Sequence, residues 1–460
     1  MGNHVSASIF KAYDIRGVVG DTLTEDVVYN IGRAIGSEAH ARQQKTVAVA
    51  RDGRLSGGLF VAALTRGLRD SGRDVIDVGM VPTPLLYFAT HHLGIGSGVM
   101  VTGSHNPVNY NGFKMVLAGE TLAEEAIQGL RRRVEQDDYF GGEEGAYRSL
   151  DIIPDYLACV LDDIKLPAQL KVVVDCGNGV AGVIAPQLLK ELGCDVIELF
   201  CEVDGNFPNH HPDPSQPKNL EDMIDAVKAY NADLGFAFDG DGDRLGVVDA
   251  SGHVIWPDRQ MMLYAIDVLS RNSGAEIIYD IKCSNHLGKV IEHYGGKPLM
   301  WKTGHSLIKA KMKETGALLA GEMSGHIFFK ERWYGFDDGI YTGARLLEIL
   351  TTSELVPKEL FASLPEAFST PELQVKMKEG SHHTFIKRFL AEVSFDDGVV
   401  NTIDGMRVDF SDGWGLVRAS NTTPCLVIRF EADNEDALHR IQAMFKIEML
   451  KIAPDLAIPF

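Results

Sequence analysis

Three carboxylates at alternate positions, Asp239, Asp241 and Asp243, follow the apolar run Leu234 to Phe238 and are spaced by Gly240 and Gly242. Alternate aspartates joined by glycine can fold around one hard cation, and oxygen ligands select Mg²⁺ or a similar ion. An EF-hand loop starting at Asp239 would need glycine and glutamate where Arg244 and Ala250 stand, so that reading fails. A phosphatase with an aspartate nucleophile and a solvated acidic turn are the other readings of this pattern. A second stretch, Thr102-Gly103-Ser104-His105-Asn106-Pro107, follows the apolar run Val99 to Val101. It sets a hydroxyl beside an imidazole able to move a proton. A serine next to a bound cation is the equipment of phosphoryl transfer, although Ser104 also suits a turn or a helix cap before Asn-Pro.

Two further stretches could hold a substrate. Gly321-Glu322-Met323-Ser324-Gly325-His326 brings together a carboxylate, a hydroxyl and an imidazole, which can bind sugar hydroxyls, or form only a turn between strands. Arg418-Ala419-Ser420-Asn421-Thr422-Thr423-Pro424 joins a guanidinium to short polar side chains. That set suits a phosphate group, with bidentate Arg as its anchor; a plain β-turn is the alternative.

The elements that must position these loops repeat along the chain: a β-branched run, a Gly-bearing turn, an amphipathic helix, another strand. Thr46 to Ala50 leads through Arg51-Asp52-Gly53-Arg54 to a helical pattern and then Val75 to Val78. Val172 to Asp175 and Glu276 to Tyr279 open similar blocks. This alternation predicts three similar α/β domains with mainly parallel sheets. After about Pro365 strands dominate, some joined by Asp-Gly turns, with a last helix capped by Asn434. The expected division is 1–150, 151–253, 254–365 and 366–460, the last an α+β domain.

Together these segments, starting from Phe10-Lys11-Ala12-Tyr13-Asp14-Ile15-Arg16-Gly17, resemble the α-D-phosphohexomutases over nearly the whole chain. The bacterial phosphomannomutase/phosphoglucomutase group is the most similar. The resemblance implies four domains around a central active-site cleft, each giving one loop. It implies that Ser104 carries a phosphoryl group and that Asp239, Asp241 and Asp243 bind Mg²⁺ with it. Arg244, Lys114, His105 and Arg16 would line the transfer site, with Tyr13 and Lys282. Glu322 and Ser324 would hold sugar hydroxyls, with His305 and His326 nearby. Arg418, Ser420, Asn421 and Thr422 would form the phosphate loop. The implied reaction interconverts hexose 1-phosphate and hexose 6-phosphate through a hexose 1,6-bisphosphate. Met323 resembles the enzymes that accept both mannose and glucose phosphates. His105, Lys114 and His326 all stand as candidate bases. A phosphoglucosamine mutase, or a binding protein without catalysis, is the alternative.

The bulk composition agrees. Asp and Glu number 64 against 44 Lys and Arg, a formal net charge of −20, which argues against partners such as nucleic acid or anionic membrane. An anionic substrate must then be drawn by local Arg and Lys. No apolar run approaches the roughly 20 residues of a membrane span. The six cysteines form no CxxC pair, so free thiols in a reducing cytoplasm are expected. A monomer is expected too. Met1 to Ser6 fits a myristoylation pattern too short to carry weight.

Overall fold

The computed structural model describes residues 5–421 and 423–460, which leaves Met1 to His4 and Thr422 outside the description. Four sheets follow one another along the chain. In the first, Thr46–Arg51 lies parallel to both Asp74–Met80 and Gly98–Val101. Its side chains alternate between two cores, as a pleat requires. Val47 and Val49 pack with Phe60 and Leu64 of the helix Gly57–Asp70, while Ala48 and Ala50 pack with Leu85 and Leu86 of the helix Thr83–His92. Both faces are covered, so the central strands read as continuous apolar runs.

The second sheet pairs Lys171–Asp175 in parallel with Asp195–Leu199 and Leu234–Phe238. The third pairs Glu276–Asp280 in parallel with Lys297–Trp301 and Leu319–Gly321. All three sheets are mixed rather than simply parallel, and the departure follows one rule. In each, a parallel strand turns into an antiparallel neighbour: Gly98–Val101 into Tyr110–Leu117, Leu234–Phe238 into Leu245–Asp249, Leu319–Gly321 into Ile327–Phe329. The turns are the serine loop, the aspartate loop and the glutamate loop. A hairpin return holds both ends of a loop by backbone hydrogen bonds, which fixes it better than a long crossover would.

The last domain is an antiparallel sheet, with the helices Ser381–Glu392 and Glu435–Ile452 packed on it. The Asn434 side chain accepts from the Ala437 amide at 2.9 Å and starts the final helix as expected. The arginine loop is again a hairpin turn, between Gly413–Ala419 and Cys425–Ala432. The architecture is thus three α/β domains and a C-terminal α+β domain. One apolar cluster runs unbroken through the first three, from Ala48 and Phe88 through Tyr156 and Phe236 to Trp333 and Leu347. The last domain has a core of its own around Phe389, Ile428 and Phe445. No described helix is long and apolar enough to cross a membrane.

Candidate active site

Ser104 sits at φ 46° on a buried loop, a backbone conformation that few residues other than glycine adopt. Its neighbours hold it there. Asp52 accepts from the Thr102 hydroxyl at 2.8 Å and the Gly103 amide at 3.1 Å. The buried Arg54 guanidinium donates to the carbonyls of Ser104, Asn106, Pro107 and Tyr110 at 2.6–2.9 Å. No helix follows Ser104, so a cap role is excluded. Its hydroxyl instead lies 3.1 Å from His105 Nδ1 and donates to Asp239 Oδ2 at 3.1 Å.

Asp239, Asp241 and Asp243 are fully buried, with ligand oxygens within 4.8 Å of one another. Lys114 Nζ is 2.7 Å from Asp241 and also contacts Asp243. Arg244 Nε is 3.1 Å from Asp239. Thr83 donates to Asp241 at 2.5 Å. Burial first, and then repulsion among the three, pushes the Asp239 and Asp243 carboxyls up to about 7. Burial would raise Asp241 as well, but Lys114 and Thr83 hold it below the usual carboxylate range. Asp241 Oδ1 and Asp243 Oδ1 have no hydrogen-bond partner. A buried oxygen-only cluster, short of positive charge and with orphaned oxygens, fits a hard divalent cation.

The other loops close over this centre. His326 bridges to Arg244 through the backbone, and its Nδ1 lies 3.0 Å from Asp337 and 3.5 Å from Asp243. His305 stacks on His326 at 5.6 Å. Glu322 accepts from the Gly304 amide at 2.5 Å, and burial pushes its carboxyl up to about 7. Tyr13 donates to the Thr303 carbonyl at 2.9 Å and contacts Asn421. Lys282 pairs with Glu372 at 2.9 Å, and Arg418 with Asp404 at 3.0 Å. Ser420 and Thr423 hydroxyls lie 3.1 Å apart. Arg16 contacts Asp14. Burial first, then Arg244, Arg16 and Lys114, holds the His105 imidazole well below its ordinary range and therefore neutral.

A cleft of about 780 Å³ collects these groups. Tyr13, His105, Arg244, Lys282, Ser324, His326, Arg418, Ser420 and Asn421 line it. Ser104, Lys114 and the three aspartates are not part of the lining, and Ser104 and Asp239 touch it through His105 and Arg244. Arg16, His305 and Glu322 are likewise set back from the lining. Thr422 lies outside the described residues.

The residue pattern of the chain matches family models along its length. Residues 7–140, 154–252 and 256–368 match phosphoglucomutase/phosphomannomutase alpha/beta/alpha domains I, II and III, and residues 372–447 match the C-terminal domain. The chain belongs to the phosphoglucomutase/phosphomannomutase family. It is 60% identical over 454 residues to a phosphomannomutase/phosphoglucomutase of Pseudomonas aeruginosa, covering 99% of this chain and 98% of that one. It is 54% identical over 459 residues to a phosphoglucomutase of Neisseria meningitidis, covering 99% of both. A crystal structure of a phosphoglucomutase/phosphomannomutase family protein from Burkholderia thailandensis superposes with a TM-score of 0.94, at 55% identity, covering 99% of this chain and all of that one.

Several groups at this family site were not singled out from sequence. Arg54 and Asp52 were visible only as part of a Gly-bearing turn. Asp337 stands in an Asp-Asp-Gly run before a helix, and its contacts with His326 and Lys309 appear only in the folded chain. Glu372 and Asp404, the partners of Lys282 and Arg418, carried no signal.

Proposed function

We infer that this family member is a phosphohexomutase, interconverting hexose 1-phosphate and hexose 6-phosphate through phosphoserine at Ser104 and a hexose 1,6-bisphosphate. The observation that carries this reading is the Ser104 hydroxyl, 3.1 Å from Asp239 inside a charge-deficient carboxylate cluster. Asp239, Asp241 and Asp243 would hold Mg²⁺, which supplies charge stabilisation to a transferring phosphoryl group when bound.

The chain's own groups do the rest. Arg244, anchored by Asp239 and Asp213, directs its remaining N–H groups toward phosphoryl oxygens. Lys114 is held well above its ordinary range by Asp241 and Asp243, which outweigh the effect of burial. It therefore acts as a fixed ammonium rather than a base. His326 is the base this geometry favours: Asp337 faces its Nδ1 and leaves Nε2 for a sugar hydroxyl proton. Glu322 and Ser324 orient the sugar. Lys282, Arg418, Ser420 and Asn421, with Thr422, hold the distal phosphate. That phosphate displaces Glu372 and Asp404 from the two cations, which keep a partner in either state.

The decisive experiment is intact-mass and peptide mass spectrometry of the purified protein. One phosphate is expected, on Ser104, lost on incubation with hexose monophosphate and regained with glucose 1,6-bisphosphate. Ser104→Ala should lose turnover with its fold intact; a near wild-type rate would overturn the reading. We also propose that mannose and glucose phosphates are both substrates. They differ in the direction of one hydroxyl, so catalytic efficiencies should agree within about tenfold, roughly 1.4 kcal/mol. A glucosamine phosphate preferred over both would favour the alternative sugar.

A further inference from the structure

A second cavity, of about 660 Å³, lies between the first and third domains and shares no lining residue with the cleft. Its wall is aromatic. Tyr334 and Phe336 stack at 6.0 Å with planes 3° apart, and His91 stacks on them at 5.1 and 5.8 Å. Its charge is positive in a strongly negative chain. Both acidic residues of the lining are paired, Glu120 with Arg42 at 3.2 Å and Glu314 with Lys311 at 2.6 Å. The Lys330 ammonium, by contrast, pairs with no described residue. Two polar groups in the wall are also unanswered. The hydroxyls of Tyr87 and Ser306, each on a residue 2% exposed, have no hydrogen-bond partner. Both hydroxyl oxygens are sealed beneath the wall, the Tyr87 one beside Asp337 and Lys114, so they support the wall rather than face the cavity.

The cavity also touches the catalytic cluster. Lys309 lines it, lies 4.1 Å from the Tyr87 ring centroid, and pairs with Asp337 at 2.9 Å. Asp337 in turn faces His326, which lines the cleft.

We propose that this cavity binds a small aromatic anion, its ring against Tyr334, Phe336 and His91 and its acid group on Lys330. Such a ligand presses on Lys309 and so biases the Asp337–His326 contact, making the cavity an effector site. Binding stands apart from the assigned reaction; the effect on turnover rests on it.

The probe is 8-anilinonaphthalene-1-sulfonate, followed by its fluorescence on the full chain. Saturable binding of one probe per chain is expected, and it persists at saturating glucose 1-phosphate with its affinity altered by no more than the roughly fivefold coupling. Lys330→Glu and Tyr334→Ala, both at exposed positions, should each weaken it by about tenfold or more, the loss of one charge-assisted or stacking contact. Their melting temperatures and probe-free turnover should match wild type. Bound probe should change kcat/KM for glucose 1-phosphate by about fivefold or more, a coupling of ordinary size. Absence of saturable binding, displacement by glucose 1-phosphate, or equal affinity in both variants overturns the site. Binding without any change in kcat/KM overturns its role as an effector site. An inactive probe-free wild type would instead count against the assigned reaction and leave the binding result standing.

Discussion

At the scale of single residues, the aspartate cluster is a store of unfavourable charge that Lys114 and Arg244 offset only in part. Asp239 and Asp243 have folded-state carboxyls raised to about 7 by burial and then mutual repulsion. The unfolded chain ionises them near 4. Between those values the folded state binds more protons than the unfolded one, so metal-free stability falls as pH rises through that window. Thermal melts of chelator-treated protein should show this fall between about pH 5 and pH 7. Asp243→Asn should flatten it, and added Mg²⁺ should raise the melting temperature more at pH 8 than at pH 5. An equal Mg²⁺ effect at both pH values would count against metal binding by these carboxylates.

At the scale of elements, the serine and aspartate loops meet backbone to backbone. A Cβ on Gly240 would stand 2.3 Å from the Ser104 carbonyl oxygen, and one on Gly103 would stand 2.3 Å from Arg54 Nε. Neither neighbour can retreat, because Arg54 itself grips four carbonyls of the serine loop. Gly240→Ala should therefore push the two loops apart. We expect a stability loss on the order of 1–3 kcal/mol, with both Mg²⁺ affinity and turnover reduced. Calorimetric Mg²⁺ titration beside a thermal melt checks this; unaltered affinity would mean the loops tolerate separation.

At the scale of the whole molecule, the continuous core of the first three domains holds the serine, aspartate and glutamate loops as one piece. The last domain has its own core and joins the third through a small apolar cluster of Ile281, Trp414 and Leu416 and through polar contacts. Arg407 donates to the Cys283 carbonyl at 2.9 Å, and Arg429 pairs with Asp258 at 3.0 Å. Arg418 comes from this separately built domain, so its loss should spare the metal centre. Arg418→Ala should cost on the order of 2–5 kcal/mol in kcat/KM with either 1-phosphate, the size of a charged contact to phosphate. Mg²⁺ affinity should stay unchanged, and added glucose 1,6-bisphosphate should partly restore the rate. Normal kinetics on both sugars would make the loop only a turn.

The sequence by itself determined the local chemistry: which loops carry serine, aspartates, glutamate and arginine, and which strands lead into them. Those features are contiguous, and alternation and glycine spacing record them directly. Asn434 as a cap and the α+β character of the last domain were legible for the same reason. Only the tertiary structure decided which way each sheet closes and what surrounds each loop. The Arg54 clamp joins residues 50 positions apart, whereas the antiparallel returns and the Asp337–His326 contact are nearer in sequence but depend on a strand direction that apolar runs do not encode. Lys114 shows the difference most plainly. From sequence it stood as a candidate base; folding sets it, on a strand of the first domain, 2.7 Å from Asp241 on a loop of the second, and keeps it protonated. A side chain's type is written locally, but its charge state is set by whatever the fold buries beside it.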